Sequence, residues 1–549
     1  MTLAERVADD GRQPSSGLYS WAAVALCVAG AALRVAMYAQ HRSLWYDEAA
    51  LAVNIVNRGF GELVAPLDHL QTAPLLFLWV ERALVLSAGP NEWALRLLSL
   101  AAGIALPPLT WRVAGRVLPP SAALVAVALV AFSPTLVRYS AEVKPYVTDA
   151  LVTVVLLDRA LAAGAAGASA MTWWSLGVAG IIAIVSSTPA VFVLAGVVTY
   201  LAARSMTRGG GAQAIARATV VALCWAAAFA VLLVTVFRPV VDRVAPLGRF
   251  MQWYWATNFL TSDPPGLRTK VSALLWAVLP NTFLGAGAVP GMTTALALIV
   301  ALGVAALVTN GRARIAVLFI VPIIAVVIAS MLRRYPIAER LVLFAAPVTA
   351  LLIASAPLIV DRVSRPLQRW VSGAAVAGVA ALATVGVVAM YRSTEGRQET
   401  RDLVRAALAE RVAGTPVWVS AGGDPAWRFY SGDGANVTLP SATTGPGLPA
   451  GGKLAPDVLV GAWSTAIPER IVPVADDTAA AGRPSPWSEA EALRLRRIAR
   501  PCVLVFLSHA MPGESPALLS SAAALGGRLT RSKRQPGAEL HRVCFDVQG

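Results

Sequence analysis

Two adjacent carboxylates, Asp47 and Glu48, stand in the stretch SLWYDEA, shortly after an apolar run that ends near Ala39. Trp45 and Tyr46 beside them half shield an acid from water. Such a carboxylate can take the proton of an attacking hydroxyl, so both are candidate catalytic residues. The pair equally suits the start of a helix over EAALAVNIVNRGF, where negative charge favours the N-terminus. A second group occupies RYSAEVKPY, residues 138–146: Arg138, Glu142, Lys144 and Tyr146. Cations suited to a phosphate and a carboxylate suited to a sugar hydroxyl or an acceptor make a mixed-charge site. Interfacial snorkelling with one ion pair would use the same residues. A third group, LRRYPIAERLVLF at 332–344, holds Arg333, Arg334 and Arg340. Arg340 opens an apolar segment beside Glu339, suiting an anionic headgroup or an interfacial anchor. A fourth, PLDHLQTAPLLF at 66–77, adds Asp68, His69 and Gln71. His69 is a candidate substrate contact. No second histidine stands at ligand spacing, so neither a metal nor another cofactor is expected.

These groups need elements to hold them. Of the 549 residues 57% are hydrophobic and 14% charged, and mean hydropathy is +0.63. That balance belongs to a polytopic membrane protein, with segments long enough to cross about 30 Å of hydrocarbon. The formal net charge is +15. Arginines placed in short loops between apolar segments explain it better than nucleic-acid binding does. The first segment, 18–39, is too long for a signal-peptide core and reads as a signal anchor after a short tail, residues 1–17. Further spans are expected at 93–113, 122–137, 146–157, 173–185, 189–203, 218–237, 292–308, 315–331, 340–360 and 370–391. The stretch TAPLLFLWVERALVLSAG carries Glu81 and Arg82 in its middle. It reads as an amphipathic helix at the interface or packed on the bundle.

With the N-terminus inside, the basic positions Arg112/Arg116, Arg204/Arg208, Arg312/Arg314 and Arg362/Arg365/Arg369 fall on the cytoplasmic side. Asp158/Arg159 is the one mixed pair. About 11 spans result, with the C-terminus outside. All four charged groups then share the outer face. That placement disfavours a transporter or flippase, whose charges cluster near the midplane on broken helices. A non-catalytic membrane scaffold is the other alternative. Residues 238–290 read as a long connection containing RFMQWYWATNFL.

After Tyr391 the composition turns polar. TRDLVRAALAERVAG, SEAEALRLRRIA and SPALLSSAAALGG have helical patterns, whereas TPVWVSA, ANVTLP, DVLVGAW, CVLVFLS and LHRVCFDV read as strands. Residues 392–549 are therefore expected to form an extracytoplasmic α/β domain, behind a transmembrane domain over 18–391. Cys27 and Cys224 lie in apolar segments and read as buried fillers. Cys502 and Cys544 lie on or beside two expected strands, an arrangement that permits a disulfide without requiring one.

The order SLWYDEA, TAPLLFLWVERAL, NEWALRLLSLAAG, RYSAEVKPYVTDALV and YPIAERLVLFAAP resembles bacterial GT-C glycosyltransferases, relatives of protein O-mannosyltransferases and of the lipid A aminoarabinose transferase. The resemblance spans about residues 18–391. It implies transfer of a sugar from a polyprenyl-phosphate donor to a glycan, lipid or protein acceptor outside the cell membrane. By position, Asp47 matches the family's acidic residue in the first external loop, the base. Glu48 is the neighbouring acid, and Glu142 matches a second acid in the next external loop. Arg138, Lys144 and Arg340 correspond by charge and location to phosphate contacts. Direct displacement would invert the anomeric centre.

Overall fold

The computed structural model describes residues 15–205, 212–240, 255–361, 364–393, 397–411, 414–432, 455, 457–461 and 484–546. Each apolar segment expected to span has a helical counterpart. The first is α1 (Ser15–Ala39), followed by two helices outside the bundle's main run, α2 (Tyr46–Asn57) and α3 (Leu75–Ala88). Then come α4 (Glu92–Val117), α5 (Pro120–Phe132), α6 (Pro134–Tyr139), α7 (Tyr146–Ala163), α8 (Ala170–Ser186) and α9 (Ala190–Ser205). Next are α10 (Ala212–Leu232), α11 (Leu267–Trp276), α12 (Met292–Thr309) and α13 (Ala313–Met331). A 3-10 turn, Glu339–Ala345, leads into α14 (Ala346–Ser355), and α15 (Arg365–Arg392) closes the bundle. Among the described residues seven helices are long and apolar enough to cross a membrane, and Pro120–Phe132, Ala170–Ser186 and Ala190–Ser205 are shorter apolar ones.

α3 packs on the bundle, as one of the two expectations had it. Glu81 is fully buried, and Arg82 Nη1 donates to the carbonyls of Ile55 (3.2 Å) and Val56 (2.6 Å) at the end of α2. Two expectations need correction. The span foreseen over 122–137 is broken at Ser133–Pro134. Pro134 has no N–H for the Val130 carbonyl, so α5 stops and α6 restarts on the Ser133 cap. The buried Arg34 of α1 takes the released carbonyls, donating to Val130 and Ala131 at 2.9 Å each. The connection foreseen over 238–290 contains a helix: α11 continues through a π-helical turn to Leu284. Leu267, Val271, Leu274 and Leu275 recur there at helical spacing. Residues 249–254 of the aromatic motif and the strand foreseen over ANVTLP lie outside the described residues.

The described C-terminal residues form a five-stranded sheet in the order β2-β1-β3-β5-β4. Its strands are β1 (Val417–Val419), β2 (Val458–Val460), β3 (Cys502–Ser508), β4 (Gly527–Gln535) and β5 (Ala538–Phe545). β1 runs parallel to β2 and β3, while β5 is antiparallel to β3 and β4. Side chains alternate between the faces of a strand. Leu504 and Phe506 of β3 therefore face α16 (Arg401–Arg411) and α17 (Asp424–Ser431). Val503, Val505 and Leu507 face α18 (Pro486–Ile498) and α19 (Glu514–Ala524). Cys502 and Cys544 are register partners and are joined by a disulfide. The sequence reading missed β4, a solvated edge whose GRLTRSKRQ carries arginines and lysine rather than an apolar face. It also missed the short α17.

Candidate active site

The 40–45 loop carries the chain from α1 to Asp47 at the start of α2. Trp45, at the N-cap of α2, has no side-chain acceptor for the free N–H groups of the first turn. Glu48 supplies part of the remedy by accepting from the Trp45 N–H at 3.3 Å. Arg96 of α4 grips the same carboxylate with two bonds, Nε to Oε1 at 3.0 Å and Nη2 to Oε2 at 2.7 Å. The Val143 N–H donates to Glu48 Oε1 at 2.7 Å. Glu48 is 1% exposed, so this set of charge-assisted bonds is what keeps a carboxylate tolerable there. Arg96 also donates to the carbonyls of Arg42 (2.7 Å) and Ser43 (3.3 Å). One buried ion pair thus ties the 40–45 loop to the turn at 140–145.

Asp47 points another way. Its carboxylate meets Arg340 Nη1 at 2.9 Å, and the Arg340 guanidinium lies 5.6 Å from the centre of the Trp45 ring. Both ion-pair partners remain partly open, at 19% and 24% exposure. Lys144 is buried nearby and donates to Gln71 Oε1 at 2.7 Å. Burial pushes the Lys144 ammonium below its ordinary pKa, and the Asp47 charge pulls it back. Tyr146 is buried within the field of Arg340 and Asp47. In the 140–145 turn, Glu142 Oε1 accepts from Arg138 Nε at 2.9 Å. Burial raises the Glu142 carboxyl above the usual range, opposed by Arg138.

Beside these groups lies a cavity of about 640 Å³ lined by Arg42, Trp45, Arg138, Glu142, Arg397 and Glu399, among others. Glu339 lines it too, and also borders an adjoining recess of about 390 Å³ that Arg340 lines. Trp45 Nε1, Arg42 Nη2, Arg397 Nε and Glu142 Oε2 are buried without a hydrogen-bond partner among the described residues. Three donors and one acceptor are therefore left unsatisfied around one space, a costly arrangement for a protein alone. Burial and the neighbouring Arg397 bring the Arg42 guanidinium down to about 10.

Of the residues singled out from sequence, Asp47, Lys144, Tyr146 and Arg340 come together, with Glu48, Arg138 and Glu142 adjoining. His69 does not join them. It is buried with Nε2 3.8 Å from Asp424 of α17, and burial lowers its imidazole pKa, opposed by Asp424. Among the described residues no three His, Cys, Asp or Glu gather to hold a metal. The sequence reading missed Arg42, Arg96 and Arg397. Arg96 had a signal, a charge within an apolar segment. Arg397 had none, since it lies beyond the last span in a polar stretch.

A family model described as dolichyl-phosphate-mannose-protein mannosyltransferase matches residues 72–238. Among solved structures, ArnT from Cupriavidus metallidurans in the apo state superimposes with a TM-score of 0.54 at 14% identity, covering 96% of this chain and 98% of that one. ArnT bound to undecaprenyl phosphate gives 0.52 at 15%, with the same coverage. The Archaeoglobus fulgidus oligosaccharyltransferase gives 0.51 at 14%, covering 87% of this chain and 67% of that one. No curated protein matches at the level of sequence. The fold is that of the GT-C glycosyltransferases, built into a multi-pass membrane protein. Within that class its fold is similar to that of ArnT, and residues 72–238 are similar to the mannosyltransferase family.

Proposed function

We propose that this protein is a glycosyltransferase that moves a sugar from a polyprenyl-phosphate donor to an acceptor on the outer side of the cell membrane, with Asp47 as general base. The observation that carries the reading is the Asp47–Arg340 pair. It joins a carboxylate able to take a proton to a cation able to take a phosphate, at the edge of a polar cavity. The solved ArnT with undecaprenyl phosphate supports a lipid-phosphate donor.

In this mechanism the acceptor oxygen attacks C1 of the sugar from the face opposite the phosphate. Its proton passes to Asp47. The C1–O bond breaks with its electron pair going to the lipid phosphate, whose growing charge Arg340 and Lys144 stabilise. A phosphate leaves as an anion, so no general acid is needed, and one displacement inverts the anomeric centre. Arg340 joins the two halves of the step: an incoming phosphate draws it from Asp47 and leaves the carboxylate free as a base. The unsatisfied donors of Trp45, Arg42 and Arg397 and the free Glu142 oxygen suit sugar and acceptor hydroxyls. Glu48 holds the loop and takes no part in proton transfer.

The outer placement draws support from the Cys502–Cys544 disulfide, which is at home in an oxidising compartment. About 11 crossings, a transmembrane domain over 18–391 and an outer domain over 392–549 complete the proposal.

The test is sugar transfer in proteoliposomes with a panel of polyprenyl-phosphate hexoses and pentoses. Asp47→Asn should lower turnover by roughly 10²- to 10⁴-fold while leaving abundance unchanged. Near-normal turnover in that variant would remove Asp47 from the role of base.

A further inference from the structure

The C-terminal residues reach into the loop that presents Asp47. Four successive backbone N–H groups, those of residues 43 to 46, approach and begin α2. Only Trp45 finds its acceptor inside the loop and helix, at Glu48. The Ser43 N–H donates to Glu399 Oε2 at 3.3 Å, the Leu44 N–H to the Tyr430 hydroxyl at 2.7 Å, and the Tyr46 N–H to Gln398 Oε1 at 2.8 Å. A helix start is normally satisfied by a local Ser, Thr, Asp or Asn. Here the acceptors come from more than 350 residues further along the chain.

Two of these acceptors, Tyr430 and Gln398, are themselves held. Tyr430 donates to Glu92 Oε1 at 3.0 Å, and Arg401 Nη1 reaches the same oxygen at 2.8 Å. Arg401 also donates from Nη2 to the His41 carbonyl and from its backbone N–H to Ser43 Oγ. Gln398 Nε2 lies 2.8 Å from His509 Nδ1, and the His509 ring stacks on Tyr46 with centroids 4.5 Å apart. Ala426, Phe429 and Tyr430 of α17 pack with Leu44, Ala49 and Ala52, adding an apolar seal. The residue held at Tyr46 immediately precedes Asp47.

We infer that Gln398, Glu399 and Tyr430 are positioning residues for Asp47, so that the C-terminal sheet domain completes the active site. Gln398 is the most direct of the three, because its carbonyl fixes the peptide one residue before the carboxylate. A displacement of about 1 Å at a reacting group can cost roughly a hundredfold in rate. The inference rests on Asp47 being the base, and the test separates the two.

The full-length protein in nanodiscs would be compared as wild type, Gln398→Met, Gln398→Glu and Asp47→Asn. Gln398→Met removes the acceptor for the Tyr46 N–H, whereas Gln398→Glu keeps an oxygen there. The expected result is a fall in kcat of roughly ten- to a hundredfold for Gln398→Met, with KM for the polyprenyl-phosphate sugar unchanged. Amide hydrogen exchange over residues 44–48 should quicken in the same variant, and Gln398→Glu should restore both. Faster exchange with normal kcat would overturn the inference, as would an equal loss of kcat in Gln398→Glu. Full activity in Asp47→Asn would instead overturn the base assignment, whatever the Gln398 variants do.

Discussion

Arg340 has two anionic clients, the Asp47 carboxylate in the resting protein and the donor phosphate in the proposed complex. Arg340→Ala should therefore raise KM for the donor by roughly tenfold and lower kcat as well, since leaving-group stabilisation is lost. Arg340→Lys should recover part of the binding but less of the turnover, because a point charge replaces a planar fork. Unchanged donor KM in Arg340→Ala, measured by steady-state transfer, would separate Arg340 from the phosphate. The two carboxylates of SLWYDEA were alike in sequence and differ in structure. Asp47 keeps one partly open partner, while Glu48 is consumed by Arg96, Val143 and the Trp45 N–H. Spacing placed both at the helix start. It had no means of choosing between them, since the choice depends on α4 and the 140–145 turn arriving from elsewhere. Arg397 and Gln398 were illegible for the same reason: nothing local marks a side chain whose partner is hundreds of residues away.

At the scale of elements, the apolar segments were readable because hydrophobic length is a local property. What was lost were breaks with a tertiary cause. The end of α5 could have been read from Pro134, but the burial of its released carbonyls needs Arg34. Gly386 of α15 shows how tightly such breaks pack: a Cβ built there would stand 2.0 Å from the Leu284 carbonyl oxygen. The Cβ of a substituted Gly287 would meet the Leu382 carbonyl oxygen at the same distance. Two glycines thus let the turn after α11 press against the last helix, where Gly285 and Gly386 line the cavity. In the sheet domain, Glu514 opens α19 and is 4% exposed, with its Oε2 accepting from the Met511 N–H. Burial pushes its carboxyl up to about 7 from 4.5. The folded domain then holds a proton that the unfolded chain releases between those values. Stability is full below about pH 4.5 and falls as pH rises through 7, by an amount on the order of 3 kcal/mol. Glu514→Gln should flatten this slope in thermal unfolding of the full-length protein between pH 4.5 and 7.5. A slope unaltered by that change would assign the dependence to another group.

At the scale of the whole molecule, the proposed topology puts the Asp158 cluster and the disulfide on opposite sides of the membrane. Asp158 near the end of α7 is the acid in the one mixed pair of the charge pattern, and Arg112, Arg116 and Arg159 all converge on it. It is neutralised locally and so leaves the basic character of that side intact. The disulfide belongs to the other side in the proposed topology. Cys502→Ser should free the Cys544 thiol for a membrane-impermeant reagent added to intact cells. Labelling of Cys544 only after lysis would place the sheet domain in the cytoplasm.

Arg34 also bears on how the molecule is made. Its guanidinium is fully buried, and the carbonyls it serves lie 96 and 97 residues later. Synthesis delivers α1 to the bilayer well before α5 exists. In that interval the helix carries a charge whose insertion costs up to about 3 kcal/mol, less near the helix end. A chain that stops short of residue 130 leaves Arg34 only the Gly30 carbonyl of its own helix, and the arrival of α5 supplies the other two acceptors. The first helix is therefore fully accommodated only once the core of the bundle has assembled around it.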